Sequence, residues 1–128
     1  MTFVKGIMEI NTRKEKNAVV VSVKGRMDAV SSADFEKELA ALMAEGESTF
    51  IIDFGELDYI SSAGVRSILI AAKKLKAREG YLSLCSLKDL VEEVFKISGF
   101  SSIIPIYESV NSALARAHPE IGFKTDGQ

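Results

Sequence analysis

The chain has 128 residues, of which 47% are hydrophobic and 27% charged, the composition of one ordinary globular domain. Its 16 Lys and Arg and 18 Asp and Glu give a net charge of -2, which argues against a dedicated nucleic-acid binder. The single cysteine, Cys85, excludes an internal disulfide, and together with the single histidine it cannot form a zinc site. No apolar run approaches the length of a bilayer span and no signal peptide is visible, so we expect a cytoplasmic protein without membrane insertion.

The N-terminal part predicts a hairpin followed by a helix. Residues 8–11 and the β-branched run 18–23 are separated by a short charged connection, which is typical of two paired strands. Ser31 is the predicted N-cap of the next helix, because Asp34 stands three residues later in the spacing of a capping box. Gly46 is expected to end this helix.

The middle of the chain predicts a buried strand and a second helix. Residues 49–54 form an apolar run without alternation, as expected of a strand that is covered on both faces. A short loop should follow, in which Glu56 and Asp58 are solvated carboxylates. The second helix is expected to start near Ser61 or Ser62.

The C-terminal part predicts two more strands and two more helices. Residues 81–85 form a strand, and Ser86 with Asp89 repeats the capping-box spacing at the start of a third helix. Residues 103–107 should form a short edge strand, because their proline cannot donate to a central ladder. Residues 109–117 form the last helix.

The element order is therefore β-β-α-β-α-β-α-β-α, without an internal repeat or a domain boundary. Strands that alternate with helices predict an α/β fold with a mostly parallel sheet, and the opening hairpin makes the sheet a mixed one. We expect about five strands and about four helices in a single domain over residues 1–118. Residues 119–128 should form a loose polar tail.

The segment 53–66 is the most informative for function, since it runs from a buried strand through small residues into a helix. Functional groups in α/β sheets tend to lie beyond the carboxyl ends of the strands. The N–H groups at the start of a helix favour an anion such as phosphate. The plainer interpretation is that Ser61 or Ser62 is only an N-cap and that Gly64 only allows close packing.

Two motifs carry a resemblance to a known family. Residues 59–66, which follow the strand at 51–53, resemble the signature of bacterial anti-sigma factor antagonists of the STAS-domain family. Residues 23–29 resemble the other hallmark of that family, a strand that ends in Gly-x-hydrophobic-Asp at Gly25 and Asp28. The resemblance covers roughly residues 7–117, and two motifs at the expected separation are more specific than either alone.

The resemblance implies a regulatory protein that is not an enzyme and needs no cofactor or metal. Such proteins bind an anti-sigma factor, often a serine kinase, and so free a sigma factor. The kinase phosphorylates one serine at the start of the second helix, and a serine phosphatase restores the antagonist. That serine lies two residues before the glycine, which is Ser62 here. Ser61 stands where Asp is frequent and remains a competing phosphosite, and Ala63 stands where a second Ser or Thr is frequent.

The resemblance also implies a partner-binding surface made of the second helix start and the loop that carries an aspartate. Its predicted residues are Asp28, Ser61, Ser62, Ala63, Gly64, Val65 and Arg66. The alternative for the aspartate is an ordinary turn residue. Two other functions stay open, namely a STAS-domain scaffold or accessory subunit in another signalling or lipid-transport complex, and a small serine hydrolase, which would lack a credible base.

Overall fold

A computed structural model describes residues 2–5 and 7–117 of the chain. The predicted tail at 119–128 and His118 lie outside these described residues. The described elements, in chain order, are β1 (Thr2–Lys5), β2 (Met8–Glu15), β3 (Ala18–Met27), α1 (Ala29–Ala44), β4 (Thr49–Ile60), α2 (Ser62–Ala77), β5 (Tyr81–Cys85), α3 (Asp89–Ser98), β6 (Ile106–Tyr107) and α4 (Val110–Arg116). Within residues 2–5 and 7–117, no helix is long and apolar enough to cross a membrane.

The strands form one mixed sheet in which their spatial order is their order in the chain. Strand β2 is antiparallel to both β1 and β3, whereas β3 to β6 run parallel to one another. The predicted α/β fold, hairpin and mostly parallel sheet are confirmed. The sheet has one strand more than expected, because β1 pairs with β2 at the N-terminal edge.

Two cores lie on opposite faces of the sheet. The larger one is covered by α1, α2 and α3 and contains the buried rings of Phe35, Phe50, Phe54 and Phe95. The smaller one lies under α4, where Leu114 and its neighbours cover alternate residues of β3, β4 and β5. Side chains of a strand point alternately to its two faces, so the runs 18–21 of β3 and 50–52 of β4, which are covered on both faces, are apolar at every position.

Strand β4 continues beyond the predicted end, so the expected loop is wrong. It runs to Ile60 and stays paired with β3, with register irregularities along that pairing. Leu57 and Ile60 are buried in the larger core, which holds this extension against the helices. Glu56 and Asp58 therefore lie on a strand, and Asp58 Oδ1 pairs with Lys88 Nζ at 2.7 Å.

Helix α1 begins before the predicted cap. Its N-cap is Asp28, whose side chain accepts from the N–H of Ser31, and the Ser31 side chain accepts from the N–H of Asp28. Asp is as good an N-cap as Ser, and a serine three residues later completes the reciprocal pair. Asp34, the predicted partner in the capping box, lies in the second turn of the helix instead.

The start of α3 and the last strand also differ from the prediction. Helix α3 begins at Asp89 with Lys88 as its N-cap, and no side chain caps it. The predicted cap, Ser86, has a φ of 62°, and its N–H donates to the Tyr107 carbonyl in continuation of the β5–β6 pairing. Strand β6 occupies the predicted sheet edge but is shorter than expected, since the N–H groups of Ile103 and Ile104 donate to the Phe100 carbonyl and continue the preceding 3-10 turn.

Candidate functional site

The ends of β3 and β4 bring the starts of α1 and α2 side by side. The N–H of Ser61 donates to the carbonyl of Met27 at 2.8 Å, so the residues before the two helices lie next to each other. Asp28 is the N-cap of α1 and Ser61 is the N-cap of α2. The two predicted motifs, distant in the chain, therefore meet at the carboxyl edge of the sheet, where such folds commonly carry a site.

Ser61 and Ser62 occupy different environments at the start of α2. Ser61 is half-buried, and its Oγ accepts from the N–H of Gly64 at 3.2 Å. Ser62 is the first residue of the helix and is exposed. Among the described residues, the Ser62 hydroxyl has no hydrogen-bond partner. One serine is thus engaged by the helix cap, whereas the other is open to an incoming molecule.

The remaining predicted contacts divide by burial. Arg66 is exposed and Ala63 is half-buried, whereas Gly64 and Val65 are buried. A Cβ on Gly64 would lie 2.6 Å from Cγ1 of Ile60, so the glycine lets α2 approach the end of β4 closely. Gly64 and Val65 therefore expose little surface, and they hold the helix start in position.

Asp28 caps the start of α1, a structural role that the sequence did not assign to it. Its Oδ1 accepts from the Ser31 N–H at 2.9 Å and lies 3.0 Å from the Ser31 Oγ. These hydrogen bonds, first that of the Ser31 backbone, hold the pKa of the Asp28 carboxyl below its ordinary value of 3.8. The carboxylate is therefore charged at neutral pH while it caps α1.

Two residues that sequence reasoning missed lie beside this site. Arg26 and Tyr59 are opposite each other on β3 and β4, and the Arg26 guanidinium lies 4.2 Å from the centroid of the Tyr59 ring. Both are exposed. The two residues pair only because β4 extends to Ile60. The sequence could have indicated this pair only if the strand had been predicted to its observed end.

The start of α2 offers an exposed hydroxyl and the positive end of a helix dipole to an incoming molecule. No group of three or more His, Cys, Asp or Glu side chains within residues 2–5 and 7–117 is arranged to hold a metal ion. The N-cap and first turn of α2 contain no acidic residue, so the positive end of its dipole faces the site without a carboxylate of its own, whereas the Asp28 carboxylate occupies that position on α1. A phosphoryl group on Ser62 would lie where negative charge is favoured.

Comparison with known proteins identifies the family. The sequence-family model of the STAS domain matches residues 9–113, which is most of the chain. BtrV of Bordetella bronchiseptica, whose name places it among the anti-sigma factor antagonists, is 42% identical over 108 residues, covering 84% of this chain and 93% of BtrV. This chain belongs to the STAS-domain family.

Solved structures have the same fold. An anti-sigma factor antagonist from Mycobacterium paratuberculosis superposes with a TM-score of 0.79 at 20% identity, covering 86% of this chain and 93% of that one. SpoIIAA in its unphosphorylated form has a TM-score of 0.74 at 22% identity, with 84% and 94% of the chains covered. The phosphorylated form of Bacillus SpoIIAA has a TM-score of 0.68 at 21% identity, with 85% and 99% covered.

Proposed function

We propose that this chain is an anti-sigma factor antagonist, which binds an anti-sigma factor and thereby releases a sigma factor for transcription. Family membership supports this function, as does the name of the relative that is 42% identical over most of both chains. The antagonist acts by binding, without catalysis of its own. Its partner is an anti-sigma factor of the serine kinase type, which phosphorylates the antagonist. A serine phosphatase then removes the phosphate.

Ser62 is the phosphosite in this proposal. The observation that carries it is the contrast between the two serines, because Ser62 is exposed and no residue in the described part of the chain binds its hydroxyl, whereas Ser61 uses its own as a helix cap. A kinase must reach the hydroxyl oxygen with the γ-phosphate of ATP. At Ser61 the side chain is half-buried, and one lone pair of its Oγ is already engaged by the N–H of Gly64.

Phosphorylation of Ser62 would release the partner by changing the charge of the contact surface. A phosphoserine carries about -1.5 to -2 charges at neutral pH. Within the antagonist this charge is tolerated, because it sits at the N-terminus of α2. Inside a protein interface the same charge must lose its water and meets a surface that was complementary to a neutral hydroxyl, which is costly.

The proposal is tested by incubating the chain with its cognate anti-sigma kinase, Mg and ATP, and mapping the phosphate by peptide mass spectrometry. Ser62→Ala and Ser61→Ala are compared with the unmodified chain, and binding of each to the kinase is measured in the presence of ADP. We expect phosphate on the wild type and on Ser61→Ala, none on Ser62→Ala, and release of the phosphorylated protein.

The other outcomes would revise either the phosphosite or the function. Phosphate on Ser61 would overturn the assignment of the site but keep the switch. Binding without phosphorylation would indicate a constitutive antagonist or a scaffold. Neither binding nor phosphate, with a kinase shown to be active on another substrate, would contradict the sigma-factor role and leave a STAS-domain scaffold outside it.

A further inference from the structure

Two exposed side chains, Ser62 and Arg66, lie four residues apart on α2. They are the exposed members of the predicted contact surface, since its other residues are half-buried or buried. Side chains at this spacing lie one above the other on a helix, with about 5–6 Å between their Cβ atoms. The anion-bearing residue comes first in the favourable order for an ion pair on a helix, as Ser62 would here. A negative group added to Ser62 would therefore lie within reach of Arg66.

The charge of Arg66 has no partner in the described part of the chain. Its guanidinium forms no ion pair there, and α2 contains no Asp or Glu of its own. On the neighbouring helix, the Asp28 carboxylate caps α1 and the Glu36 carboxylate accepts from the Ser67 hydroxyl at 2.8 Å. The N–H donors of Arg66 are therefore available to a new acceptor.

The other cations of α2 have a different explanation. Lys73, Lys74 and Lys76 lie in its second half, and the first of them is about 16 Å along the helix axis from Ser62. Cations near the end of a helix complement the negative end of its dipole. Arg66 lies near the start of α2, where the dipole gives a cation no such advantage. Its position is suited instead to an anion on Ser62.

Phosphorylation supplies that anion. Transfer of the γ-phosphoryl group of ATP to Ser62 Oγ releases ADP and the hydroxyl proton. The product carries three acceptor oxygens and about -1.5 to -2 charges at neutral pH. The planar guanidinium of an arginine can donate two parallel N–H bonds to phosphate oxygens, a geometry that the ammonium of a lysine does not offer.

We infer that Arg66 binds the phosphate on Ser62 within the same helix, so that phosphorylation withdraws the Arg66 guanidinium from the partner. This inference rests on the proposed function and adds the internal contact through which the switch acts. The pair would occupy both exposed side chains of the predicted contact surface. One modification therefore removes a neutral hydroxyl and a free cation from the surface that the anti-sigma factor meets.

The internal contact is tested in the protein alone, with phosphoserine incorporated at position 62 by genetic code expansion. Arg66→Gln removes the guanidinium, and Lys73→Gln is the control, because it makes the same change of charge at another exposed position of α2. Phosphorus NMR should give a higher pKa of the phosphate in Arg66→Gln than in the wild type, and an unchanged one in Lys73→Gln. The Nε–H resonance that Arg66→Gln lacks should shift when Ser62 is phosphorylated.

The effect on the partner is measured by calorimetry of the unphosphorylated variants with the anti-sigma kinase and ADP. Arg66→Gln should weaken binding about threefold or more, because it removes the donors that phosphorylation would otherwise engage. Lys73→Gln should change the affinity less than about twofold. Unchanged affinity in Arg66→Gln would overturn the withdrawal of this side chain from the partner.

The outcomes separate this inference from the proposed function. An equal phosphate pKa in the wild type and Arg66→Gln, with an unmoved Nε–H resonance, would overturn the inference. If the kinase still modified Ser62 and then dissociated, the proposed function would stand. An equal rise of the phosphate pKa in Lys73→Gln would indicate general charge in place of a contact and would also overturn the inference. A wild type that binds no anti-sigma factor would contradict the proposed function and the role of Arg66 in release, even if the internal contact were seen.

Discussion

Ser61 and Ser62 are neighbours with different expected roles. Truncation of Ser61 should lower stability, whereas truncation of Ser62 should abolish switching and leave stability nearly unchanged. Ser61→Ala removes the oxygen that accepts from Gly64 at the N-cap of α2, which should lower the free energy of unfolding by about 1 kcal/mol. Ser62→Ala removes an exposed hydroxyl without a partner in the described chain and should change it by less than about 0.5 kcal/mol. Urea denaturation measures both. A larger loss in Ser62→Ala than in Ser61→Ala would contradict the assignment of the cap.

Asp28 can be tested in a way that separates capping from charge. Asp28→Asn keeps an oxygen that can accept from Ser31, whereas Asp28→Ala removes it, so only the alanine variant should lose the cap. The folded pKa of Asp28 lies below its ordinary value of 3.8. The charge therefore stabilises the fold above that value, and this contribution is lost as the pH falls through the folded pKa.

We thus expect the unfolding free energy of the wild type to exceed that of Asp28→Asn at neutral pH, and the difference to shrink as the pH falls below about 3.8. Urea titrations at several pH values measure the difference. A gap that grows towards acid pH would contradict the cap assigned to the carboxylate. Partner binding that Asp28→Asn lowers while stability is kept would show a second role of the charge.

The end of β3, where it pairs with the start of β2, depends on a glycine for two reasons. Gly25 has a φ of +99°, and a Cβ there would lie 2.1 Å from the carbonyl oxygen of Ile7. Gly46 has a similar φ of +103° with nothing within 4 Å of a Cβ. Substituting each glycine in turn therefore distinguishes the cost of backbone strain alone, at Gly46, from strain combined with a collision with Ile7, at Gly25.

Gly46→Ala should cost only backbone strain, about 1–2 kcal/mol. Gly25→Ala should cost at least about 1 kcal/mol more, because the Ile7 carbonyl must also move. Equilibrium unfolding in urea measures both variants against the wild type. Equal costs at the two positions would contradict the close approach of Ile7 to β3.

Cys85 reports on the integrity of the smaller core beneath α4. The side chain is completely buried, and that burial raises the pKa of its thiol to about 11. At pH 8 the thiolate should thus be scarce and inaccessible in the folded protein, so iodoacetamide should react with it at least about tenfold more slowly than in denaturant. Fast labelling of the native protein would show that α4 leaves this face open.

Phosphorylation should leave the whole fold unchanged, since both helix starts are held by buried residues and backbone hydrogen bonds. Ser62→Glu places an acidic group in the first turn of α2, which has none, and should raise the unfolding free energy by about 0.3–1 kcal/mol at low ionic strength. Circular dichroism and thermal unfolding check this. A large spectral change or a clear loss of stability would contradict a switch that acts through surface charge alone.

Much of the architecture could be read directly from the sequence. Apolar runs and helical periodicity predicted the α/β class, the parallel strands and the hairpin, because burial requires those patterns. Strand β5 was predicted at its observed bounds. The two short motifs also lie side by side in the fold, as expected of residues at the carboxyl ends of adjacent parallel strands.

The functional detail depended on contacts between distant segments. Local spacing favoured Ser31 as the first cap, yet the end of β3 directs Asp28 into that position. The extension of β4 is held by pairing with β3 and by the burial of Leu57, which no local pattern reports. That extension places Tyr59 beneath Arg26, so this contact became visible only in the folded chain. Residue types and periodicity encode which segments are buried, whereas register and helix starts follow from how those segments pack.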